Sequence, residues 1–433
     1  MLRRQAGAHA LVPPADPVGL TPLIDVGDAV PLVRHALRAG KTLSAMALPA
    51  QHGASFERRR TVLRPMMTHC WPRLFMYDLG NNFRDDAPTD RSAKSSAVSG
   101  FWIDQNRSFL HHVGQYSLGD VVLYRAWLYR CLTSDPALAD IFFIPAYSSR
   151  FASAVSREPH NESLFDILRS SRLPDGRSAF ERANGADHFI IQPRAGAWYE
   201  RGPTKAFDYA DRSFMQTIRL STETPFKGNP LPYQPESMYI GVPWPSPVRD
   251  GVPWQSTRTR TRLVCASMGI HGTHSVRKLR TSLKNDCEKD ARCTLLRPSG
   301  KNEDQIYEEY LRSVFCLNPP GDSISRRAIV DSTLLGCIPV LFHRGQALQW
   351  PWHWSWGVNA SVLLPWTSNS SVIDALAAIP QDRVRFMQET IRTNAVSLAY
   401  RTYDAPDDAF AIILRKVASM ASRAIGQKKN NRS

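Results

Sequence analysis

Along most of the chain, apolar runs of four to six residues closed by Gly, Pro, Asn or Asp alternate with longer stretches in which apolar residues recur at three- and four-residue spacing. Short runs of that kind suit buried strands and the longer ones suit amphipathic helices, so the alternation predicts α/β layers built on parallel sheets. The first clear strand is predicted at Arg73–Asp78, ended by Gly80-Asn81-Asn82. A helix over 116–132 follows, carrying Val121, Val122, Leu123, Ala126, Leu128 and Leu132, and then the strand Ile141–Pro145. A short helix near 165–168 precedes the apolar run Asp187–Pro193. Eight prolines between Pro225 and Pro253 mark the crossing between two lobes. Beyond it the pattern predicts a strand at 262–269, a helix at 275–287, a short strand at 294–296 and a helix at 305–314. Two terminal helices are predicted over 381–399 and 405–425. Residues 1–68 read as a poorly patterned leader, 69–240 and 241–425 as the two lobes, and 426–433 as a basic tail.

The most informative stretch is VFCLNPPGDSISRRAIVDSTLLGCIPVLF, Val314 to Phe342. Val314–Leu317 is too short for a helix and is bounded by Asn318-Pro319-Pro320, which makes it a strand. A tight loop follows; Ser325 is placed to cap the next helix, and Gly336 to end it before a second strand at Ile338–Phe342. In open α/β sheets the ligand lies beyond the carboxyl ends of the strands, here at a helix N-terminus whose free N–H groups favour phosphate. Arg326 and Arg327 add charged donors, and Asp331, four residues beyond Arg327, can accept hydrogen bonds from ribose hydroxyls. Arg280 repeats the arrangement in the first turns of the helix at 275–287. The alternative is that Arg327 and Asp331 form an i,i+4 surface pair beside an ordinary turn.

With 433 residues there is length for two or three domains, and 43% hydrophobic with 21% charged residues is a globular composition. A net charge of +15 favours anionic ligands or surfaces without choosing among them. The basic residues are dispersed and are not interleaved with aromatics, which argues against a nucleic-acid binder. None of the seven cysteines lies in a CxxC pair, so no zinc site is expected. Cys316 and Cys337 read as buried thiols, whereas Cys287 and Cys293 are near enough for a loop disulfide. Five Asn-x-Ser/Thr sites, at Asn106, Asn161, Asn359, Asn369 and Asn431, tilt toward a secretory lumen, although residues 1–20 contain no apolar segment of signal or anchor length. There is no HExxH, GxSxG or Walker loop. Asp78, Asp104, Asp187 and His188 are candidate bases by residue type.

PPGDSISRRAIVDSTLLGCIPVLF resembles the donor-binding motif of the exostosin-like, family 47 glycosyltransferases, above all the plant xyloglucan galactosyltransferase branch. Tyr77-Asp78-Leu79, Tyr116-Ser117-Leu118 running to Asp135–Tyr147, Asp187-His188-Phe189, and Leu279-Arg280 with Cys287 match further family features in order. The resemblance covers about Arg73 to Phe342 and implies a GT-B architecture: two facing Rossmann-like lobes with a C-terminal helix crossing back. It implies an inverting, metal-independent transfer from a UDP-sugar to a cell-wall or extracellular polysaccharide, with no cofactor, in the Golgi lumen. It also implies a membrane anchor, and the sequence pattern of residues 1–20 predicts none there. Donor-binding roles fall on Arg280, Ser323, Ser325, Arg326, Arg327 and Asp331, and the acceptor side on Asp187 and His188. Gly80 stands where the family has proline, and Gln192-Pro193-Arg194 departs from its usual sequence. The rival readings are an inactive family member that binds glycan or scaffolds a complex, and a basic nucleic-acid-binding protein.

Overall fold

The computed structural model describes residues 70–79, 117–145, 166–192, 216–223, 239–249, 259–299, 302–364 and 371–430. All of them belong to one compact unit, Leu48–Ser433. The expected leader over 1–68 lies outside the described residues, as do Asp104 and the segment around Tyr116.

Two parallel sheets form the molecule. The first contains β1 (Leu74–Met76), β2 (Leu132–Thr133), β3 (Ile141–Ile144), β4 (His188–Gln192), β5 (Ile218–Ser221) and β6 (Tyr239–Gly241), in the order β2-β1-β3-β4-β5-β6. The second contains β7 (Arg262–Ser267), β8 (Cys293–Leu296), β9 (Ser313–Asn318), β10 (Ile338–Leu341) and β11 (Val362–Leu363), in the order β11-β10-β9-β7-β8. Each order reverses once, between β1 and β3 in the first sheet and between β7 and β9 in the second. Such reversals are the topological switch points at which doubly wound sheets open a crevice. The architecture is the two-lobed, GT-B-like α/β fold expected from the sequence.

Helices form where apolar residues share a stripe. In the first lobe α1 (Leu118–Leu128) buries Leu118, Val121, Val122 and Ala126 against β1, β3 and β4. In the second, α2 (His274–Lys289) starts at Thr273, whose hydroxyl accepts from the Val276 amide, and buries Leu279, Leu283 and Cys287. α3 (Glu303–Arg312) buries Ile306, Tyr307, Tyr310 and Leu311, leads directly into β9, and is followed by α4 (Arg327–Leu334), which buries Ile329, Val330 and Leu334. Gly336 ends that turn with φ of 74°, a conformation glycine adopts without a Cβ penalty. α5 (Val372–Ala377) and α6 (Gln381–Asn394) close the second lobe.

The terminal helix α7 (Ala409–Asn430) returns to the first lobe, where Phe410, Ile413, Leu414, Val417 and Ala421 join the core of β1, β3, β4 and β5. It runs five residues past the expected end at 425, into the segment expected as tail. A buried ion pair anchors its start. Arg125 Nε of α1 donates to Asp408 Oδ2 at 3.0 Å, and the guanidinium lies 5.0 Å from the centre of the Phe410 ring.

Three disulfides link Cys70–Cys131, Cys287–Cys293 and Cys316–Cys337. The second was expected, but the third corrects the reading of Cys316 and Cys337 as buried thiols. Cys316 lies opposite Pro339 in the β9–β10 register, which brings the cysteine at the mouth of β10 within bonding distance. Cys265 is the buried free thiol among the described cysteines.

Candidate active site

The switch point of the second sheet is flanked by the loop after β7, Met268–Thr273, and the loop after β9, Pro319–Ser325. Two arginines lie between them. Arg280 is fully buried on α2; its Nε donates to the Pro320 carbonyl at 2.9 Å and its Nη1 to the Gly269 carbonyl at 2.7 Å, with His271 Nε2 at 3.2 Å. Arg326, the residue preceding α4, donates to the Pro319 carbonyl at 3.2 Å and the Ser267 carbonyl at 3.5 Å. Both guanidiniums therefore span the ends of β7 and β9. Burial and the neighbouring Arg326 push the Arg280 pKa down to about 10. Among the described residues neither arginine has a carboxylate within salt-bridge distance. Arg280 is buried and Arg326 half-buried, and neighbouring cations that meet carbonyls rather than carboxylates can attract an anion. Gly321 allows the approach, because a Cβ there would stand 3.2 Å from Arg280 Nη2.

Arg327 turns the other way. Its Nε meets Asp331 Oδ2 at 3.2 Å, while Nη2 meets Glu303 Oε1 at 3.3 Å and Tyr307 Oη at 3.4 Å on α3. The i,i+4 pairing weighed from the sequence is therefore present, although it is buried on the Asp331 side. Asp331 Oδ1 accepts from Ser246 Oγ at 2.6 Å. Burial pushes the Asp331 carboxyl up to about 6, with Arg327 and Ser246 pulling it back.

Ser325 does not cap α4. The cap position falls on Arg326, in extended conformation and without a side-chain cap bond, and Ser325 Oγ instead accepts from Trp244 Nε1 at 3.0 Å. Ser323 Oγ donates to the Ser325 carbonyl at 3.1 Å, inside the same loop.

Asp187 and His188 lie at the start of β4, fully buried beneath the residues that cover that face of the first sheet. Arg182 Nε donates to Asp187 Oδ2 at 2.6 Å, and His188 Nδ1 lies 2.6 Å from Asp187 Oδ1. Burial opposes the Asp187 charge, but His188 and Arg182 together hold its pKa below the usual range. A carboxylate only accepts, so Nδ1 carries the proton and Nε2 accepts from Tyr77 Oη at 2.9 Å. The Phe142 ring stacks on His188, 4.4 Å between centroids. Asp187 and His188 stand at the amino end of β4, while Tyr77 follows β1 at its carboxyl end, the side on which crevices open. The sequence match grouped these residues with the acceptor side; the structure encloses them.

One cleft residue escaped the sequence reading. Glu223 follows β5 at its carboxyl end, buried, and its Oε1 accepts from the amides of Ile324 at 3.1 Å and Ser325 at 3.2 Å. Burial raises its pKa, which those amides partly offset. An acid directly after a strand is the available signal, but β5 itself, four residues long, was not recognised. Asp78, past the end of β1, is exposed. Among the described residues no group of three or more His, Cys, Asp and Glu is placed to hold a metal ion.

Comparison with known proteins bears on this geometry. The exostosin GT47 domain model matches residues 72–378. The chain is 28% identical over 312 residues to the probable xyloglucan galactosyltransferase GT17 of Arabidopsis thaliana, covering 67% of this chain and 68% of that one. It is 26% identical over 335 residues to the xyloglucan galactosyltransferase MUR3 of the same plant, covering 71% and 53%. The chain thus spans about half to two thirds of the length of these curated relatives. Among solved structures, a glycosyltransferase from Rickettsia africae matches over 71% of this chain and 95% of its own at 10% identity, with a TM-score of 0.37 that adds nothing to the sheet topology. With the family model spanning both sheets and the motif that carries Arg280, Arg326 and Asp331, the chain belongs to the exostosin GT47 family of glycosyltransferases.

Proposed function

We propose that this protein transfers a sugar from a UDP-sugar to a cell-wall or extracellular polysaccharide, with inversion at the anomeric carbon. The observation that carries the reading is the pair formed by buried Arg280 and half-buried Arg326 at the β7/β9 switch point. An acceptor hydroxyl oxygen forms the new bond to the anomeric carbon as the bond to the β-phosphate oxygen breaks; that oxygen leaves with the electron pair, and the hydroxyl proton passes to water or to the departing diphosphate. Arg280, Arg326 and the N-terminus of α4 stabilise the charge that collects there, the task a divalent metal performs elsewhere. In this reading donor binding needs no metal, and Asp331 accepts from the ribose. Arg327 holds Asp331 and joins α4 to α3. Asp187 and His188 frame the acceptor lobe from within.

The names of the relatives favour galactose as the sugar and xyloglucan as the acceptor. Three disulfides among the described residues suit an oxidising compartment, which supports a Golgi-lumenal location. Among the described residues no helix is long and apolar enough to cross a membrane.

The test is transfer from UDP-galactose to xyloglucan oligosaccharides, read by mass spectrometry of the product and by UDP release. A product heavier by one hexose is expected. Folded protein that binds UDP but transfers to no glycan would favour a family member that has kept its donor site without the chemistry.

A further inference from the structure

We infer that Glu223 is a positioning residue through which the acceptor lobe sets the affinity of the donor site; the inference rests on the donor-site reading above. The loop Pro319–Ser325 leaves β9 through two prolines and pairs with no strand, so its amides need acceptors from elsewhere. The amides of Ile324 and Ser325 find one across the cleft, a single carboxylate oxygen of Glu223, 101 and 102 residues away in sequence. Two more hydrogen bonds join the same region. Trp244 Nε1 donates to Ser325 Oγ at 3.0 Å, and Trp350 Nε1 donates to the Thr222 carbonyl at 2.9 Å.

The loop is therefore gripped at both ends. Its prolines are held by the guanidiniums of Arg280 and Arg326, and its last residues by Glu223. Arg326 follows Ser325 directly, so a shift of the gripped amides carries the Arg326 backbone with it and changes the spacing of the two cations. Bonds from amides to an ionised carboxylate are the stronger kind, and a buried amide left without an acceptor is costly. Loss of the grip should loosen this loop while leaving the two cores intact. A glutamine amide oxygen can accept from the same two amides but cannot take a proton from an acceptor hydroxyl, which separates a positioning role from that of a base.

The experiment measures UDP affinity by calorimetry, donor and acceptor KM, kcat, and hydrogen exchange over 318–326 in the parent, Glu223→Ala, Glu223→Gln and Glu223→Asp. Glu223→Ala is expected to weaken UDP binding and raise donor KM about tenfold, with faster exchange in the loop and an unchanged acceptor KM. Glu223→Gln, whose amide oxygen can accept from both amides, is expected to restore UDP affinity and kcat to within about threefold of the parent. Glu223→Asp, charged but one methylene shorter, is expected to bind UDP less well than Glu223→Gln. If Glu223→Ala does not fold, the order of Gln and Asp decides, and Asp above Gln overturns the proposal. Normal UDP binding in Glu223→Gln with transfer reduced about a hundredfold would also overturn it, making Glu223 a base. Parent protein that binds no UDP would instead remove the donor-site reading, and with it any donor to position.

Discussion

Arg326 and Arg327 are adjacent in sequence and diverge in space: Arg326 reaches the carbonyls of Pro319 and Ser267 at the mouth of β7 and β9, and Arg327 reaches Glu303, Tyr307 and Asp331. Arg326 is the extended residue before α4 and Arg327 the first residue of the helix, so the backbone changes direction between them and one side chain enters the crevice while the other enters the seam with α3. Arg326→Ala should weaken UDP binding at least tenfold with a small change in melting temperature. Arg327→Ala leaves Asp331 buried beside one hydroxyl and should cost roughly 3 kcal/mol of stability. Calorimetry and denaturant titration on both variants check the split, and equal effects in both assays would contradict it.

Asp331 provides a pH signature. Its carboxyl is pushed up to about 6 by burial, so it is ionised above that pH and protonated below it. Ribose hydroxyls are better held by the carboxylate, which keeps acceptor sites beyond those used by Ser246 and Arg327. UDP affinity should be flat above pH 7 and fall as the pH drops through about 6, and Asp331→Asn should abolish that slope. A slope that persists in Asp331→Asn assigns it to another group.

The chain Tyr77–His188–Asp187–Arg182 should behave as structure. His188→Leu leaves the Asp187 carboxylate and the Tyr77 hydroxyl without a partner, and roughly 3 kcal/mol of stability should go, with UDP affinity unchanged. Burial lowers the His188 pKa from 6.5, so below that pH the unfolded chain takes a proton that the native one refuses. The lowered pKa of Asp187 acts in the same direction at lower pH. Stability should therefore decline as the pH falls below about 6.5, less steeply in His188→Leu, as denaturant midpoints across pH will show.

The disulfides close loops of different length, with sequence separations of 61 for Cys70–Cys131 and 6 for Cys287–Cys293. The chain-entropy relation gives roughly 4 kcal/mol for the longer loop and roughly 2 kcal/mol for the shorter. Cys70→Ala/Cys131→Ala should thus melt below Cys287→Ala/Cys293→Ala, and the reverse order would show that loop closure is not what these bonds contribute.

Much of this was legible in the sequence wherever an apolar run met a strong turn signal. β3, β9, β10, α2 and α4 all lie close to where the pattern put them, and the alternation of strand and helix was enough for an α/β sheet, while the pair of facing lobes came from the family resemblance. β2, β5 and β11, two to four residues each, are too short to show any period. The positions of Arg280 and Arg326 beside the strand ends were legible because each lies near the start of a helix that follows a strand and a glycine-containing turn. Which way Arg327 points depends on how α4 rolls against α3, and a linear pattern does not contain that. Cys316–Cys337 required the β9–β10 register, and Glu223 required knowing which loop the other lobe presents to it. The buried placement of Asp187 and His188 was likewise invisible, because a polar pair opening a strand reads the same at either end of a sheet.

The central claim is that Arg280 and Arg326 together form a metal-free site for a nucleoside diphosphate. Calorimetric titration of UDP in excess EDTA into the parent, Arg280→Ala and Arg326→Ala tests it most directly. Binding by the parent, weakened at least tenfold in each variant while both remain folded, is the predicted result. Folded parent that binds UDP only when a divalent metal is supplied, or equal binding by all three proteins, would contradict it.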